Sequence, residues 1–193
     1  MPRTSYVTAT SLDGFIATDD HSLEWLFAAT IEPGGPFDHD TFMAGVGAAV
    51  MGRSTYDWLV HHLADSGEPW PYTIPCWVLT HRSADPLPGA DVRFAAQDVT
   101  ELHPAMLASA AGRDLWVVGG GDIAGRLAVA GLLDEVVVSI APVTLGSGAP
   151  LLPHRVDLRL EDTGRNVDFV CARFAVVPPA PHGVSHLTSA DPA

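Results

Sequence analysis

One stretch of the sequence, Asp114-Leu115-Trp116-Val117-Val118-Gly119-Gly120-Gly121-Asp122-Ile123-Ala124, has the pattern of a strand, a glycine turn and a helix. Glycines allow the backbone to approach a phosphate closely and to adopt angles that other residues avoid. The following helix offers unpaired N–H groups and the positive end of its dipole, so a pyrophosphate can bind there without a lysine. Three successive glycines exceed what a tight connection requires, although a plain connection stays open as an interpretation.

The composition of the chain limits the ligands and location that we expect. Among 193 residues, 10 are Lys or Arg and 23 are Asp or Glu, which gives a formal net charge of -13. This charge repels phosphate backbones, so we expect no nucleic-acid partner, and an anionic ligand must be held by a few arginines or a helix N-terminus. Without a targeting pattern or an apolar run of membrane-spanning length, we expect a cytoplasmic protein with no membrane contact. Cys76 and Cys171 lie in apolar runs and are expected to be buried thiols.

Short apolar strands alternate with helices along the chain, which favours an α/β fold with a mostly parallel central sheet. Strands are expected over residues 5–10, 15–17, 48–51, 76–79, 115–118 and 135–140, and helices over residues 23–27, 38–45, 99–111, 123–129 and from about residue 54. A closing antiparallel hairpin is predicted over residues 158–161 and 167–177, with Gly164 and Asn166 near its turn. We expect a single domain over residues 1–178 and a flexible tail over residues 179–193.

The spacing Gly119-x-Gly121-x-x-Ala124 also fits the dinucleotide fingerprint of Rossmann folds. In those folds the glycine turn opens the domain, whereas here it comes late in the chain. The fingerprint also needs an acid at the end of the next strand to hold the ribose, and this strand ends at Ile140-Ala141-Pro142 without one. A Rossmann-type dehydrogenase is therefore the less favoured alternative.

Five motifs in order resemble the dihydrofolate reductase-like superfamily, and within it the reductase domain of the bifunctional riboflavin-biosynthesis deaminase–reductase. They are Ser11-Leu12-Asp13-Gly14-Phe15-Ile16-Ala17, Val50-Met51-Gly52-Arg53-Ser54-Thr55-Tyr56, the glycine turn, Leu132-Leu133-Asp134-Glu135-Val136 and Ala141-Pro142-Val143-Thr144-Leu145-Gly146-Ser147-Gly148-Ala149-Pro150-Leu151. The likeness runs from Tyr6 to about Val177. It implies a three-layer α/β/α fold whose central sheet is mixed, mostly parallel, and ends in an antiparallel hairpin.

The resemblance implies NADPH as the cofactor and a role for each matching position. The implied contacts are Ala9 and Ile16 for the nicotinamide; Gly52, Arg53, Ser54 and Thr55 for phosphates at a helix start; Thr80, His81 and Arg82 for the adenosine 2′-phosphate; and Val118, Gly119, Gly120, Gly121, Asp122, Ile123 and Ala124 for the pyrophosphate. Arg53 and Arg82 follow strands, where open α/β sheets bind ligands, and guanidinium groups bind phosphates in a bidentate manner. Each could instead be a solvated surface arginine.

Reduction also requires a proton, which a buried carboxylic acid with a raised pKa could supply. Asp38 lies four residues before Phe42, which resembles the spacing of the pterin-binding acid and stacking phenylalanine of dihydrofolate reductases, but Asp38 also suits a helix cap. Asp13 belongs to the motif shared with riboflavin reductases, or forms a turn before Gly14. The candidate catalytic residues are thus Asp38 and Asp13, and the candidate substrate-binding residues are Asp13, Trp25, Asp38 and Phe42. For Trp25 a place in the core is the alternative.

Departures from the resemblance narrow the expected function. Phe15 stands where the riboflavin enzyme usually has a basic residue, and the Gly-Arg-Ser-Thr-Tyr motif looks more like a folate reductase. The chain lacks the zinc-deaminase signature, and its nine histidines show no ligand spacing, so no metal is expected.

The activity implied by the resemblance is that of an NADPH-dependent oxidoreductase. Its substrate would be a pterin-like or ribosylaminopyrimidine compound, as for 5-amino-6-(5-phosphoribosylamino)uracil reductase. The alternatives are a non-catalytic protein that binds NADPH or another ligand, and a dihydrofolate reductase-type activity. A homodimer is expected by analogy with the riboflavin enzymes.

Overall fold

The computed structural model describes residues 1–83 and 87–178, and over these residues the chain forms ten strands and five helices. The strands are β1 Thr4–Thr10, β2 Phe15–Ala17, β3 Val46–Gly52, β4 Cys76–Leu79, β5 Val92–Ala95, β6 Asp114–Gly119, β7 Glu135–Ile140, β8 Ala149–Pro150, β9 Leu158–Asn166 and β10 Phe169–Val176. The helices are α1 Glu24–Phe27, α2 His39–Met43, α3 Arg53–Ser66, α4 Val99–Ser109 and α5 Gly121–Val129.

Eight strands form the central sheet in the order β5-β4-β3-β6-β1-β7-β10-β9. The pairs from β5 to β7 are parallel, and β10 pairs antiparallel with both β7 and β9. Strands β2 and β8 form a separate antiparallel ribbon. The fold class expected from the sequence, a mixed and mostly parallel sheet with a C-terminal hairpin, is confirmed.

Apolar side chains cover both faces of the sheet, as the near-continuous apolar strands require. On one face, Tyr6 and Val117 pack with residues of α4 and α5 such as Met106 and Leu127. On the other face, the buried core includes Met51 of β3 and Tyr56 of α3. The sheet therefore lies between two layers of helices, and its carboxyl edge is left for the loops that follow β3, β6 and β1.

Two strands were not predicted from the sequence. Strand β5 has four residues, three of them only partly buried, so it lacks the apolar run that marks the central strands. Strand β8 has two residues and contains Pro150, which cannot donate a backbone hydrogen bond. Strand β5 forms by pairing with β4, and β8 forms by pairing with β2. Neither pairing is visible in the local sequence of the strand itself.

The predicted hairpin turn was misplaced. Gly164 and Asn166 lie within β9, and the turn consists of Val167, which has a φ of 50°, and Asp168. Strand β9 is exposed and polar over most of its length, so apolar and polar residues do not alternate after Glu161 and the rest of the strand was not recognised. The tail predicted for residues 179–193 lies outside the described residues. Within the described ranges, no helix combines the length and apolarity needed to cross a membrane.

Candidate functional site

Two adjoining cavities lie at the carboxyl edge of the parallel strands. The first, called here the turn cavity, has a volume of about 470 Å³ and is lined by Thr8, Ile16, Ala17, His21, Leu23, Ser54, Thr55, Trp58, Val118, Gly119, Gly120, Gly121, Asp122, Ala149, Pro150 and Pro153. The second, called the arginine cavity, has a volume of about 320 Å³ and is lined by Gly52, Arg53, Ser54, Thr55, Leu79, Thr80, His81, Ala95, Ala96, Gln97, Gly120, Asp122, Ile123 and Arg126. Because Ser54, Thr55, Gly120 and Asp122 line both, the cavities form one elongated groove.

The glycine turn sits at the centre of this groove, and close packing explains its composition. A side chain at Gly119 would meet the Thr55 hydroxyl oxygen 2.8 Å away, and one at Gly121 would overlap the carbonyl oxygens of Pro150 and Leu151. Gly120 has a φ of 96°, which favours glycine. The turn therefore brings β6, α3 and the chain after β8 into direct contact.

The two helices that begin in the groove lack side-chain caps. The N-cap residues of α3 and α5 are Gly52 and Gly120, which offer no side chain to the first N–H groups. By contrast, α4 begins at Asp98, whose carboxylate accepts a hydrogen bond from the Thr100 N–H. Uncapped N–H groups at a helix start bind anions, so the groove has two places where phosphates fit.

Two arginines meet beside the arginine cavity: Arg53 lines it, and Arg82 lies next to Arg53 without being a lining residue. The Arg53 Nε lies 2.6 Å from Asp57 Oδ1, and the Arg82 Nη2 lies 3.6 Å from Asp57 Oδ2. The Arg82 backbone N–H donates to the Thr80 hydroxyl at 3.0 Å. The sequence separates these side chains by almost 30 residues, and the parallel pairing of β3 with β4 brings them together. They form a cationic end of the groove in an otherwise acidic protein.

Asp122 is the charged side chain at the start of α5. Its carboxylate lies 3.2 Å from the His154 Nε2 and 3.8 Å from the Arg126 Nη1, and Arg126 also pairs with Asp98. A carboxylate in the first turn of a helix is favourable for the helix dipole, but it opposes a second anion at the same place. Any phosphate bound here must therefore rely on backbone N–H groups.

Asp13 joins two of the sequence motifs that lie far apart along the chain. Its carboxylate accepts from the Ser11 hydroxyl at 2.6 Å and from the Leu145 and Gly146 N–H groups at 3.0 Å and 2.7 Å. The Leu151 N–H then donates to the Gly14 carbonyl at 2.8 Å. These bonds hold the loop from β7 to β8 against the turn before β2, beside the turn cavity.

The expectation of an acid with a raised pKa is wrong for both candidate residues. The hydrogen bond from Ser11, followed by the one from the Gly146 N–H, lowers the pKa of Asp13 from 3.8 to about 2. The Gly34 and Thr41 N–H groups likewise lower the pKa of Asp38. Asp13 is exposed and Asp38 is half-buried, and both carboxylates accept hydrogen bonds that favour the charged form.

Asp38 and Phe42 do line one cavity together, but it is not part of the groove. This third cavity, of about 290 Å³, shares no lining residue with the turn cavity or the arginine cavity. Asp38 acts as the N-cap of α2 and accepts from the Thr41 N–H at 2.9 Å. The ring of Phe42 packs edge-on against Trp116, with centroids 5.9 Å apart. The cap interpretation of Asp38 is confirmed.

Four other candidate residues do not line the groove, and Arg82, described above, is one of them. Trp25 packs with a small core cluster that includes Phe169, so its alternative place in the core is confirmed. Ala124 is fully buried on the inner face of α5 and packs the helix onto the sheet. The turn cavity is lined by Thr8 rather than by its neighbour Ala9, because successive residues of a strand face opposite sides.

Trp58 is the main lining residue that sequence reasoning missed. It lies one helical turn after Ser54 on α3, so a search of the same helix face would have found it. Leu23 and Pro153 from loops and Pro150 from β8 also line the turn cavity, but their positions depend on the folded structure. Over the described residues there is also no group of three or more His, Cys, Asp or Glu side chains that could hold a metal ion.

Comparison with solved structures finds the same fold in riboflavin-biosynthesis and folate enzymes. A candidate riboflavin biosynthesis protein from Shewanella sp. PV-4 is 24% identical with a TM-score of 0.75, over 91% of this chain and 99% of that chain. The deaminase/5-amino-6-(5-phosphoribosylamino)uracil reductase of Thermotoga maritima is 13% identical with a TM-score of 0.61, over 91% of this chain and 57% of that chain. Dihydrofolate reductase from Enterococcus faecalis is 14% identical with a TM-score of 0.51, over 90% and 96% of the two chains.

Sequence comparison gives the family directly. The uncharacterized protein YwjB of Bacillus subtilis (strain 168) is 32% identical over 165 residues, which cover 83% of this chain and 90% of that protein. The model of the RibD C-terminal domain matches residues 4–168, which include the groove and the Asp13 loop contacts. The chain belongs to the RibD C-terminal domain family.

Proposed function

We propose that the chain is an NADPH-dependent reductase whose groove holds the cofactor. The observation on which this rests is the continuity of the groove, which joins an arginine end, two uncapped helix starts and a largely apolar end. These features have the order of the parts of NADPH: the 2′-phosphate, the pyrophosphate and the nicotinamide. Membership of a family named for a riboflavin-biosynthesis domain supports the same assignment.

The chain's own residues would bind and orient this cofactor. Arg53 and Arg82, with Thr80, would hold the 2′-phosphate through charge-assisted hydrogen bonds. The backbone N–H groups at Gly121 and Asp122 would hold the pyrophosphate. Ile16 and Val118 would exclude water from around the nicotinamide, which supplies a hydride when bound.

The reaction would be the reduction of a C=N or C=O carbon in a heterocyclic compound. The substrate class is that of the resemblance, pterin-like or ribosylaminopyrimidine-like, as for 5-amino-6-(5-phosphoribosylamino)uracil reductase. Because neither Asp13 nor Asp38 lines the turn cavity, a non-catalytic NADPH-binding protein is the second candidate. The position of Asp38 and Phe42 in a separate cavity disfavours the dihydrofolate reductase-type arrangement.

The deciding experiment is a titration of the protein with NADPH and with NADH, followed by tryptophan fluorescence and thermal shift. We expect both to bind, with NADPH tighter by about tenfold because of its 2′-phosphate contacts. NADPH oxidation is then measured with ribosylaminopyrimidine and pterin substrates that have a reducible C=N or C=O carbon. Tight binding without turnover of any compound would favour the non-catalytic candidate. Failure of both nucleotides to bind would overturn the proposal.

A further inference from the structure

We infer that the compound reduced in the turn cavity is a planar, uncharged ring system that carries no phosphate group and stacks on Trp58. This inference rests on the proposed function and narrows its substrate class. It sets the chain apart from a reductase of phosphoribosyl compounds. Two independent observations lead to it: the positions of the basic side chains and the arrangement of aromatic rings beside the turn cavity.

The basic side chains of the chain are few, and all can be placed. The sequence has no lysine, and its ten basic residues are arginines, all within the described ranges. Arg53 and Arg126 line the arginine cavity, and no arginine lines the turn cavity. A phosphate in a protein site is usually held by such a cation, since burial without one costs the phosphate its solvation.

Arg53 directly precedes Ser54 of the lining, but it lines the arginine cavity, where its Nε lies 2.6 Å from Asp57 Oδ1 and its Nη1 donates to the Ser83 carbonyl. The next arginine in sequence is Arg155, two residues after Pro153. Its side chain is 89% exposed and its Nη2 lies 3.3 Å from Asp157 Oδ1. Other arginines pair with acids elsewhere, as for Arg93 with Asp91 and Arg159 with Glu161. Arg113 precedes the amino end of β6, whereas the groove lies at the carboxyl end. A phosphate in the turn cavity would therefore find no guanidinium group among the residues that line it.

The other groups that could hold a phosphate are already engaged or unsuitable. The uncapped start of α5 is the pyrophosphate site of the proposed function, and the Asp122 carboxylate stands beside it. His21 lines the turn cavity, but Asp19 and Asp20 precede it directly and reduce the local positive charge. An imidazole also lacks the bidentate geometry of arginine. The electrostatics of this cavity thus select against an anionic substrate.

The aromatic rings beside the turn cavity favour a planar substrate. Trp58 lines the turn cavity, and its ring is stacked on that of His62 at 4.9 Å and 10°. Phe27 of α1 lies parallel to both, 6.2 Å from Trp58 and 5.9 Å from His62. This stack fixes the orientation of the indole before a ligand arrives. A heterocycle bound beside it gains stacking and burial, neither of which requires charge.

The test uses a matched pair of compounds that differ only in the phosphate on the ribose: 5-amino-6-(ribosylamino)uracil and 5-amino-6-(5-phosphoribosylamino)uracil. Dissociation constants are measured for the protein saturated with NADP⁺, and kcat/KM is measured with NADPH. We expect the unphosphorylated compound and a neutral dihydropterin each to have a dissociation constant at least tenfold lower, and a kcat/KM at least tenfold higher, than the phosphorylated compound. A tenfold preference for the phosphate would overturn the inference, and Arg155→Ala and His21→Gln would then identify its contact. Binding of none of the three compounds by a protein that binds NADPH would also overturn it.

Variants of Trp58 test the stacking. Trp58→Leu keeps an apolar side chain without a ring, and Trp58→Phe keeps a ring. We expect KM to rise about tenfold in Trp58→Leu and by less than about threefold in Trp58→Phe, with the NADPH dissociation constant unchanged. His61→Ala, an exposed change on the same helix, is the control. A loss of NADPH affinity in Trp58→Leu without a change in KM would assign Trp58 to the cofactor and contradict the inference. Failure of the wild-type protein to bind NADPH would instead contradict the proposed function.

Discussion

At the scale of single residues, Asp13 is the contact that joins the turn before β2 to the loop between β7 and β8. Asp13 was expected to donate a proton, but its carboxylate instead holds the Leu145 and Gly146 N–H groups. The same bonds lower its pKa to about 2, so it is charged at neutral pH. The motif is therefore needed to position the loop that closes the turn cavity.

Asp13→Asn should lower the thermal stability of the protein at pH 7, because an amide NH₂ would face one of the backbone donors. The pKa of Asp13 is depressed in the folded state, so its contribution is present above its ordinary value of 3.8 and is lost as the pH falls through about 2. The difference in Tm between variant and wild type should therefore shrink as the pH is lowered from 4 towards 2. Asp65→Asn, at an exposed acid on α3, is the control. A difference that is independent of pH would contradict this role.

Arg82→Ala should weaken NADPH binding about 5- to 10-fold and leave NADH binding unchanged within about twofold, since only NADPH has the 2′-phosphate. Arg82 is largely exposed, so little effect on stability is expected. Calorimetric titration with both nucleotides measures the effect, and Arg159→Ala, which removes an arginine paired on β9, serves as the control. Equal loss of both nucleotides would show that Arg82 does not read the 2′-phosphate.

At the scale of elements, the groove depends on how closely α5 begins against the chain that follows β8. Gly121 has no room for a side chain because the Pro150 and Leu151 carbonyl oxygens are in direct contact with it. Pro150 and Pro153 in turn line the turn cavity. The glycine turn thus has two roles: it forms the proposed phosphate site, and it lets α5 pack against the segment whose prolines line the turn cavity.

Gly121→Ala should reduce the free energy of unfolding by about 1–3 kcal/mol, the usual cost of overpacking. For a chain of this length, each kcal/mol corresponds to a fall in Tm of about 2–4 °C. Gly45→Ala makes the same chemical change where the nearest atom would be 3.5 Å away, and should be tolerated. Equal stability of the two variants, measured by urea unfolding, would show that the contact at Gly121 can relax without cost.

The elements themselves were predictable to an uneven degree. Strands β3, β6 and β7 were recognised because each contains a buried apolar run, and β1 because it is rich in residues that favour strands. Strand β5 and most of β9 lie at the two edges of the sheet and lack such runs. Their conformation is determined by pairing with a neighbour, which a local pattern does not record.

At the scale of the whole molecule, the sheet order decides what the motifs can do together. Strand β6 lies between β3 and β1, so Gly52, Gly119 and Thr8 come to one edge from three distant parts of the chain. The late position of the glycine turn in the sequence, which argued against a Rossmann fold, corresponds to this central place in the sheet.

The homodimer expected by analogy remains a prediction, and β9 is the surface that we expect to form it. This strand is a sheet edge with unpaired backbone groups, and Leu158 and Leu160 are exposed on it. Light scattering after size exclusion should give the mass of a dimer, and Leu160→Arg should convert it to a monomer. Val129→Arg, at an exposed position on α5, should leave the dimer intact. A monomeric wild type would contradict the prediction.

The sequence by itself determined the fold class and the position of the phosphate-binding turn, because both depend on local patterns: apolar strands, helix starts and successive glycines. Only the tertiary structure decided which of the candidate residues share a cavity. It placed Asp38 and Phe42 outside the groove, made Asp13 a loop anchor, and added Trp58 and the two prolines to the wall. The physical reason is that lining a cavity depends on contacts between residues far apart in the sequence, and those contacts are set by strand order and loop packing.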